Sequence, residues 1–279
     1  MNFDPRITPA RPDLAAANLR GKVEAPRFAE GTVQEVIAGI APLRKKPSHD
    51  APLLTEALHG ERVTVYETDD EGWAWGQLMS DKYVGWLPAS ALLAPAAEPT
   101  HRVAALRTLV FPGPSIKLPP TDALPLGARV AVAHEQDTFA VTASGGFVPQ
   151  RHLVPLNANE ADFVAVAERF VGTPYLWGGK SSLGIDCSGL VQVALTACGI
   201  ACPRDSDMQE AAVGKPANLA GLQSGDLIFW KGHVAIARGR NSMIHANAFH
   251  MAVTIEPVAE GLARIAAGGS QVTSVRRLK

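Results

Sequence analysis

GIDCSGLVQVAL, residues 184–195, sets a cysteine between an acidic residue and a serine, directly ahead of an apolar run. Asp186 is a favoured helix N-cap, so SGLVQVALTACGI (188–200) reads as a nearly all-apolar helix with Cys187 in its first turn. A cysteine in a globular chain is usually a small buried hydrophobe. A helix start, however, carries about half a positive charge and several unpaired backbone N–H groups, which favour thiolate over thiol. Cys187 is therefore a candidate nucleophile, and it needs a base.

Strand-like runs downstream supply one: DLIFW (226–230), HVAIAR (233–238), SMIHA (242–246) and SVRRL (274–278). If RGRNS turns about Gly239, His233 and His245 stand equally far from the turn and face each other on one side of a hairpin. Directly opposed residues have Cβ atoms about 4.5–5.5 Å apart. Cys187 as nucleophile, His233 as base and His245 as the group orienting the base form a triad by role. His250 is a rival for the third position, but needs a longer and less regular connection. Upstream, NEADFVAVAERFVG (159–172) places Phe163, Val166, Ala167 and Phe170 at helical spacing and stops at Gly172 with Pro174 beyond. Helices followed by strands make residues 156–279 an α+β domain.

The chain ahead of it reads as all-β. RVTVYE (62–67), WAWGQL (73–78) and YVGWL (83–87) are short strand-like runs separated by turn clusters, and Trp73, Trp75 and Trp86 are expected to fill a small barrel. The pattern returns once: GERVTV (60–65) and YVGWLPASALL (83–93) have loose counterparts in GARVAVA (127–133) and GGFVPQRHLVP (145–155). Two tandem barrels follow, over 30–95 and 96–155, with LAPAAEPTH (93–101) as linker. Residues 1–29 form an N-terminal extension; the sequence leaves open whether it is disordered or wraps the first barrel.

The totals narrow the function classes. With 26 Lys and Arg against 27 Asp and Glu and no basic run, nothing points to nucleic acid. The first residues lack the apolar stretch of about 7–15 residues of a signal peptide. No apolar run approaches the about 18 residues of a membrane span. A cytoplasmic protein is the expectation, and three cysteines, at 187, 198 and 202, make a poor disulfide framework. Cys198 and Cys202 have no second pair to complete a zinc site, so they read as packing residues at a helix end. GGKSS fails as a phosphate loop because Pro174 stands where glycine is needed, and Asp226 reads as a turn residue.

DCSGL, followed by GDLIFW, HVAIA and IHA, resembles the NlpC/P60 cysteine peptidases, papain-like bacterial cell-wall hydrolases. The likeness spans roughly Val166 to Ala246 and includes GTPYLWGGKSSLGIDCSG. It implies a papain-like catalytic domain preceded by bacterial SH3 modules, with Cys187, His233 and His245 in the three roles above. CPRDSDMQ (202–209) is similar to the γ-D-glutamyl-L-diamino acid endopeptidases, which cut peptides with a free N-terminal L-Ala. By that resemblance Tyr175, Trp177, Asp186, Ser188, Arg204 and Ser206 line the substrate site, and Tyr83 with Glu61 or Glu56 comes from a roof made by the first SH3 module. An ammonium ion then meets Asp186 and a roof glutamate, and the D-Glu carboxylate meets Arg204 and nearby serines. No cofactor, metal or protein partner is implied; the partner is a small murein peptide, met in recycling rather than in intact wall. Two rivals stand beside this: a thiol amidase or acyltransferase on another acyl group, and a non-catalytic wall-binding SH3 protein.

Overall fold

The computed structural model describes residues 3–278, which form two compact units that divide in sequence between Asn157 and Ala158. No helix among the described residues is long and apolar enough to cross a membrane.

In the first unit residues 3–29 of the N-terminal extension pack on the first barrel through short strands. Leu14–Ala16 pairs antiparallel with Ala10–Arg11 and parallel with Arg27–Ala29. Val84 N–H donates to Arg6 O and Gln77 Nε2 to Ile7 O, both at 2.8 Å, which ties the extension to the first barrel. The Arg11 guanidinium sits 4.7 Å from the ring centre of Trp75 and 4.8 Å from that of Trp86, and pairs with Asp13 and Glu67. This corrects the expectation that three tryptophans fill the barrel: Trp73, two residues before Trp75 and so on the same face of its strand, meets His49 with ring centres 4.9 Å apart. Trp75 and Trp86 cluster with Leu14 and Ala29 of the extension, separately from the barrel core of Val36, Leu43, Val63, Leu78 and Leu87. Alternation explains the split, since successive side chains of a strand point to opposite faces.

The first barrel is a seven-stranded antiparallel sheet in the order Leu92–Leu93, Thr32–Val36, Arg62–Thr68, Trp73–Leu78, Val84–Pro88, Ile40–Arg44, Leu53–Leu58. Residues 101–155 build three smaller antiparallel pieces. His101–Val103 lies between Arg129–Val130 and Leu153–Pro155, Arg107–Val110 pairs with Asp122–Pro125, and Phe139–Thr142 pairs with both Val132–Gln136 and Phe147–Pro149. They share a core of Val103, Leu124, Ala128 and Val130.

The second unit is α+β. Its first helix, Phe163–Glu168, is capped by Asp162, which accepts Val164 N–H at 2.9 Å. It ends short of Gly172 because Arg169, Phe170 and Val171 donate to Val166 O, Ala167 O and Glu168 O, bonds three residues back that tighten the last turn. The helix Cys187–Ala197 is buried along almost its whole length and packs on a six-stranded antiparallel sheet. Strand order is Lys215–Ala217, Val272–Arg277, Ser224–Trp230, His233–Arg238, Ser242–Asn247, Ala252–Pro257. A further helix, Val258–Ala267, returns along Ala252–Pro257. Burying the all-apolar helix against apolar strands accounts for its lack of a polar face.

Candidate active site

Asp186 organises the start of the cysteine helix. Its carboxylate accepts Gly189 N–H at 2.7 Å as an N-cap, Gly178 N–H at 2.8 Å and the Ser188 hydroxyl at 3.2 Å. Arg204 donates to both of its oxygens, at 2.9 and 2.7 Å, and also to Ser188 Oγ and Gly179 O. A Cβ at Gly189 would collide with Gly179 O, so glycine after DCS lets the loop 177–180 lie on the helix tip. Arg204 is 1% exposed. Its guanidinium is a buried partner of the helix cap. Asp186 and Ser188, also buried, are likewise engaged with it.

Cys187 is 7% exposed, and the backbone N–H groups of Val234 and Ser188 lie within electrostatic reach of its sulfur. Val234 follows His233, so the sulfur lies against the start of the histidine strand. His233 Nε2 stands 2.8 Å from His245 Nδ1, and the ring centres are 5.0 Å apart. The ladder pairs Ile236 with Ile244 and Ala237 with Met243, so the hairpin centres on Arg240 rather than Gly239. The loop holds three residues, 239–241, with Gly239 at φ 130°. Moving the centre by one residue shifts pairing by two, so the histidines keep the same face but meet diagonally. His250 instead donates its backbone N–H to Asn247 Oδ1 at 2.9 Å and lies with its Nδ1 3.0 Å from the same oxygen.

Two features escaped the sequence reading. Trp230 forms a tilted contact with His233, ring centres 5.5 Å apart, and buries one side of the imidazole. Glu256, at the end of Ala252–Pro257, holds its Oε1 2.6 Å from His245 Nε2 and pairs with Arg264 of the following helix.

The electrostatics reverse one expectation. Burial, followed by the negative charge of Asp186, pushes the Cys187 thiol up to about 12, against the lowering effect of the Val234 and Ser188 N–H groups. The helix start favours a thiolate, but its cap brings an aspartate to the same place. Burial pulls His233 down to about 3, aided by His245 and Arg264, and does the same to His245, aided by Arg264 and His250. Thiol and imidazole thus rest neutral, and the proton must move as the sulfur attacks.

Tyr175 is half-buried, and its hydroxyl is pushed up by burial and then by Cys187 and Asp186, which puts it within electrostatic reach of the sulfur. Trp177 is 68% exposed on the same loop, and Ser206, buried, opens the helix Ser206–Ala212. Tyr83, Glu56 and Glu61 belong to the first unit and are buried there. Glu61 accepts Leu58 N–H at 2.7 Å and the Ser80 hydroxyl at 2.9 Å, closing the turn before Arg62–Thr68.

Comparison with known proteins gives a consistent picture. Residues 172–266 match the NlpC/P60 family, and residues 43–92 match the bacterial dipeptidyl-peptidase SH3 domain. The chain is 29% identical over 236 residues to dipeptidyl-peptidase 6 of Lysinibacillus sphaericus, covering 76% of this chain and 86% of that one. It is also 29% identical over 240 residues to γ-D-glutamyl-L-lysine dipeptidyl-peptidase of Bacillus cereus, covering 74% and 71%. A crystal structure of an NlpC/P60 family protein from Bacillus cereus shares the fold, with a TM-score of 0.74 at 23% identity over 88% of this chain and 99% of that one.

Proposed function

Since the chain belongs to the NlpC/P60 peptidase family and carries a bacterial SH3 domain ahead of the peptidase domain, we propose that it cuts the γ-D-glutamyl-L-diamino acid amide bond of small murein peptides. The substrate is L-Ala-γ-D-Glu-diaminopimelate or its lysine counterpart with a free N-terminal amine, released from wall and recycled in the cytoplasm. Residues 96–155 are assigned to a second SH3-like module. The single observation that carries the chemistry is the His233–His245 bond of 2.8 Å on the strands against which the cysteine-tipped helix packs. The name of the Bacillus cereus relative supports the bond type.

In the proposed mechanism His233 Nδ1 takes the Cys187 proton as sulfur attacks the γ-carbonyl of D-Glu. The oxyanion is held by the Cys187 backbone N–H. The diamino acid leaves as an amine, protonated by His233, and water activated by the same imidazole cleaves the thioester. Tyr175 and Trp177 wall the cleft, while Asp186, Ser188 and Arg204 fix the helix tip; Ser206 is the remaining hydroxyl beside the substrate. The test offers purified protein L-Ala-γ-D-Glu-meso-diaminopimelate and its N-acetylated twin and follows products by mass. Cleavage of the free peptide alone is expected. Equal cleavage of both removes the free-amine requirement, and cleavage of neither under reducing conditions removes the assignment.

A further inference from the structure

The imidazole chain has a direction, and its far end sets it. His233 Nε2 faces His245 Nδ1 at 2.8 Å, and His245 Nε2 faces Glu256 Oε1 at 2.6 Å. Two neutral imidazoles share two ring protons among four nitrogens, so the chain has two arrangements. In one, His245 carries its proton on Nδ1 and donates to His233. His245 Nε2 then points a lone pair at a carboxylate oxygen, and His233 carries a proton on Nδ1, where it cannot act as a base. In the other, His245 Nε2–H donates to Glu256, His245 Nδ1 accepts His233 Nε2–H, and His233 Nδ1 is left as a lone pair. A carboxylate only accepts, so only the second arrangement satisfies every group.

The surroundings hold that carboxylate in place. Glu256 is buried, and Arg264 pairs with the same Oε1 that meets His245. The Arg264 guanidinium lies 4.4 Å from the ring centre of Phe249. Helix Val258–Ala267 comes close enough because Gly261 has no side chain; a Cβ there would lie 3.1 Å from Glu256 Cδ and Oε1 and collide with Met243 Cε.

We propose that Glu256 is a positioning residue of the active site: its carboxylate, anchored by Arg264, fixes the tautomers of His245 and His233 so that His233 Nδ1 is the free base. The proposal rests on the reading of Cys187 and His233 as the reacting pair. In the step it prepares, the S–H bond of Cys187 breaks and an N–H bond forms at His233 Nδ1. The resulting imidazolium keeps its Nε2–H bond to His245, and Glu256 stays unprotonated. The charged or titratable groups around His245 are His233, His250, Glu256 and Arg264, and the Arg264 cation disfavours protonation of both imidazoles.

The test combines 15N imidazole spectra of the labelled full chain with kcat and KM on the murein tripeptide, for Glu256→Leu, Glu256→Asp and Arg264→Met. In the unmodified protein both rings are expected as Nε2–H tautomers. In Glu256→Leu the acceptor shared by His245 and Arg264 is gone while the donor Arg264 remains, so His245 Nε2 turns acceptor and the chain reverses. The expected loss is about 100-fold in kcat with KM held within about threefold, and Glu256→Asp recovers at least about tenfold of it. Arg264→Met keeps the tautomers but moves the acid limb of the kcat profile to higher pH, because a cation opposing the imidazolium has gone. A His245 Nδ1–H tautomer in the unmodified protein overturns the proposal, as does a Glu256→Leu variant with unchanged tautomers and kcat. If Glu256→Leu does not fold, the spectra of the unmodified protein and of Arg264→Met still decide. Absence of tripeptide cleavage by the unmodified protein, with both rings as Nε2–H, sinks the substrate reading and leaves the tautomer chain standing.

Discussion

Arg204→Met is the perturbation whose outcome follows most directly from the geometry. Arg204, 1% exposed, donates to Asp186 Oδ1 and Oδ2, Ser188 Oγ and Gly179 O at 2.7–3.2 Å. Removing one partner of a buried ion pair costs about 3–5 kcal/mol because the other charge stays buried. Asp186 keeps three donors, Gly178 N–H, Gly189 N–H and the Ser188 hydroxyl, so the loss falls at the low end, about 3 kcal/mol. The assay is urea unfolding followed by tryptophan fluorescence, since Trp230 is buried in the same unit. With m near 2 kcal/mol/M the midpoint drops by about 1.5 M. The double variant Asp186→Leu/Arg204→Met removes both charges and is expected to be no less stable than Arg204→Met, even after losing an N-cap worth about 1 kcal/mol. A loss below about 1 kcal/mol for Arg204→Met, or a double variant worse than the sum of its parts, would refute the reasoning.

His245, 1% exposed, has its pKa lowered from 6.5 to about 3 in the folded chain. The unfolded chain therefore binds its proton first, and stability is full above pH 6.5 and lost as pH falls from there towards 3, by about 2 kcal/mol from this residue at pH 5. Urea midpoints at pH 7 and pH 5 measure it, and equal midpoints would contradict it. Cys187, its thiol pushed up to about 12, is expected to react with iodoacetamide no faster at pH 7 than the half-buried Cys198 and Cys202. Peptide mapping of labelled protein checks this, and rapid selective labelling of Cys187 would show a resting thiolate. Trp177→Ala changes a side chain that is 68% exposed, so stability should move by less than about 0.5 kcal/mol while KM for the tripeptide rises. Unchanged KM would take Trp177 out of the cleft wall.

DCSGL was legible because local chemistry fixes it: aspartate caps, glycine admits a neighbouring loop, and the cysteine position follows. The two histidines were legible as a pair because a strand keeps its face every second residue, so an error in the turn centre leaves them on one side. Glu256 was not. AVTIEP has no strong alternation, and nothing local says that His245 and Arg264 both converge on its carboxylate. For Arg204 the sequence gives the charge but not the depth, so its place under the helix cap is not legible there. The thiol went the wrong way for the same reason, since desolvation is a property of the packed helix tip. The outward packing of Trp75 and Trp86 is not legible because their partner, Leu14, lies far earlier in the sequence, in an extension without periodicity.

Cleavage of the tripeptide by the intact chain and by Cys187→Ala, followed by mass spectrometry, tests the central claim most directly. The account predicts free diaminopimelate and L-Ala-D-Glu from the intact chain, a thioester adduct on Cys187 in rapidly quenched samples, and a loss of at least about a thousandfold in Cys187→Ala. Full activity in Cys187→Ala, or products from any other bond, would contradict it.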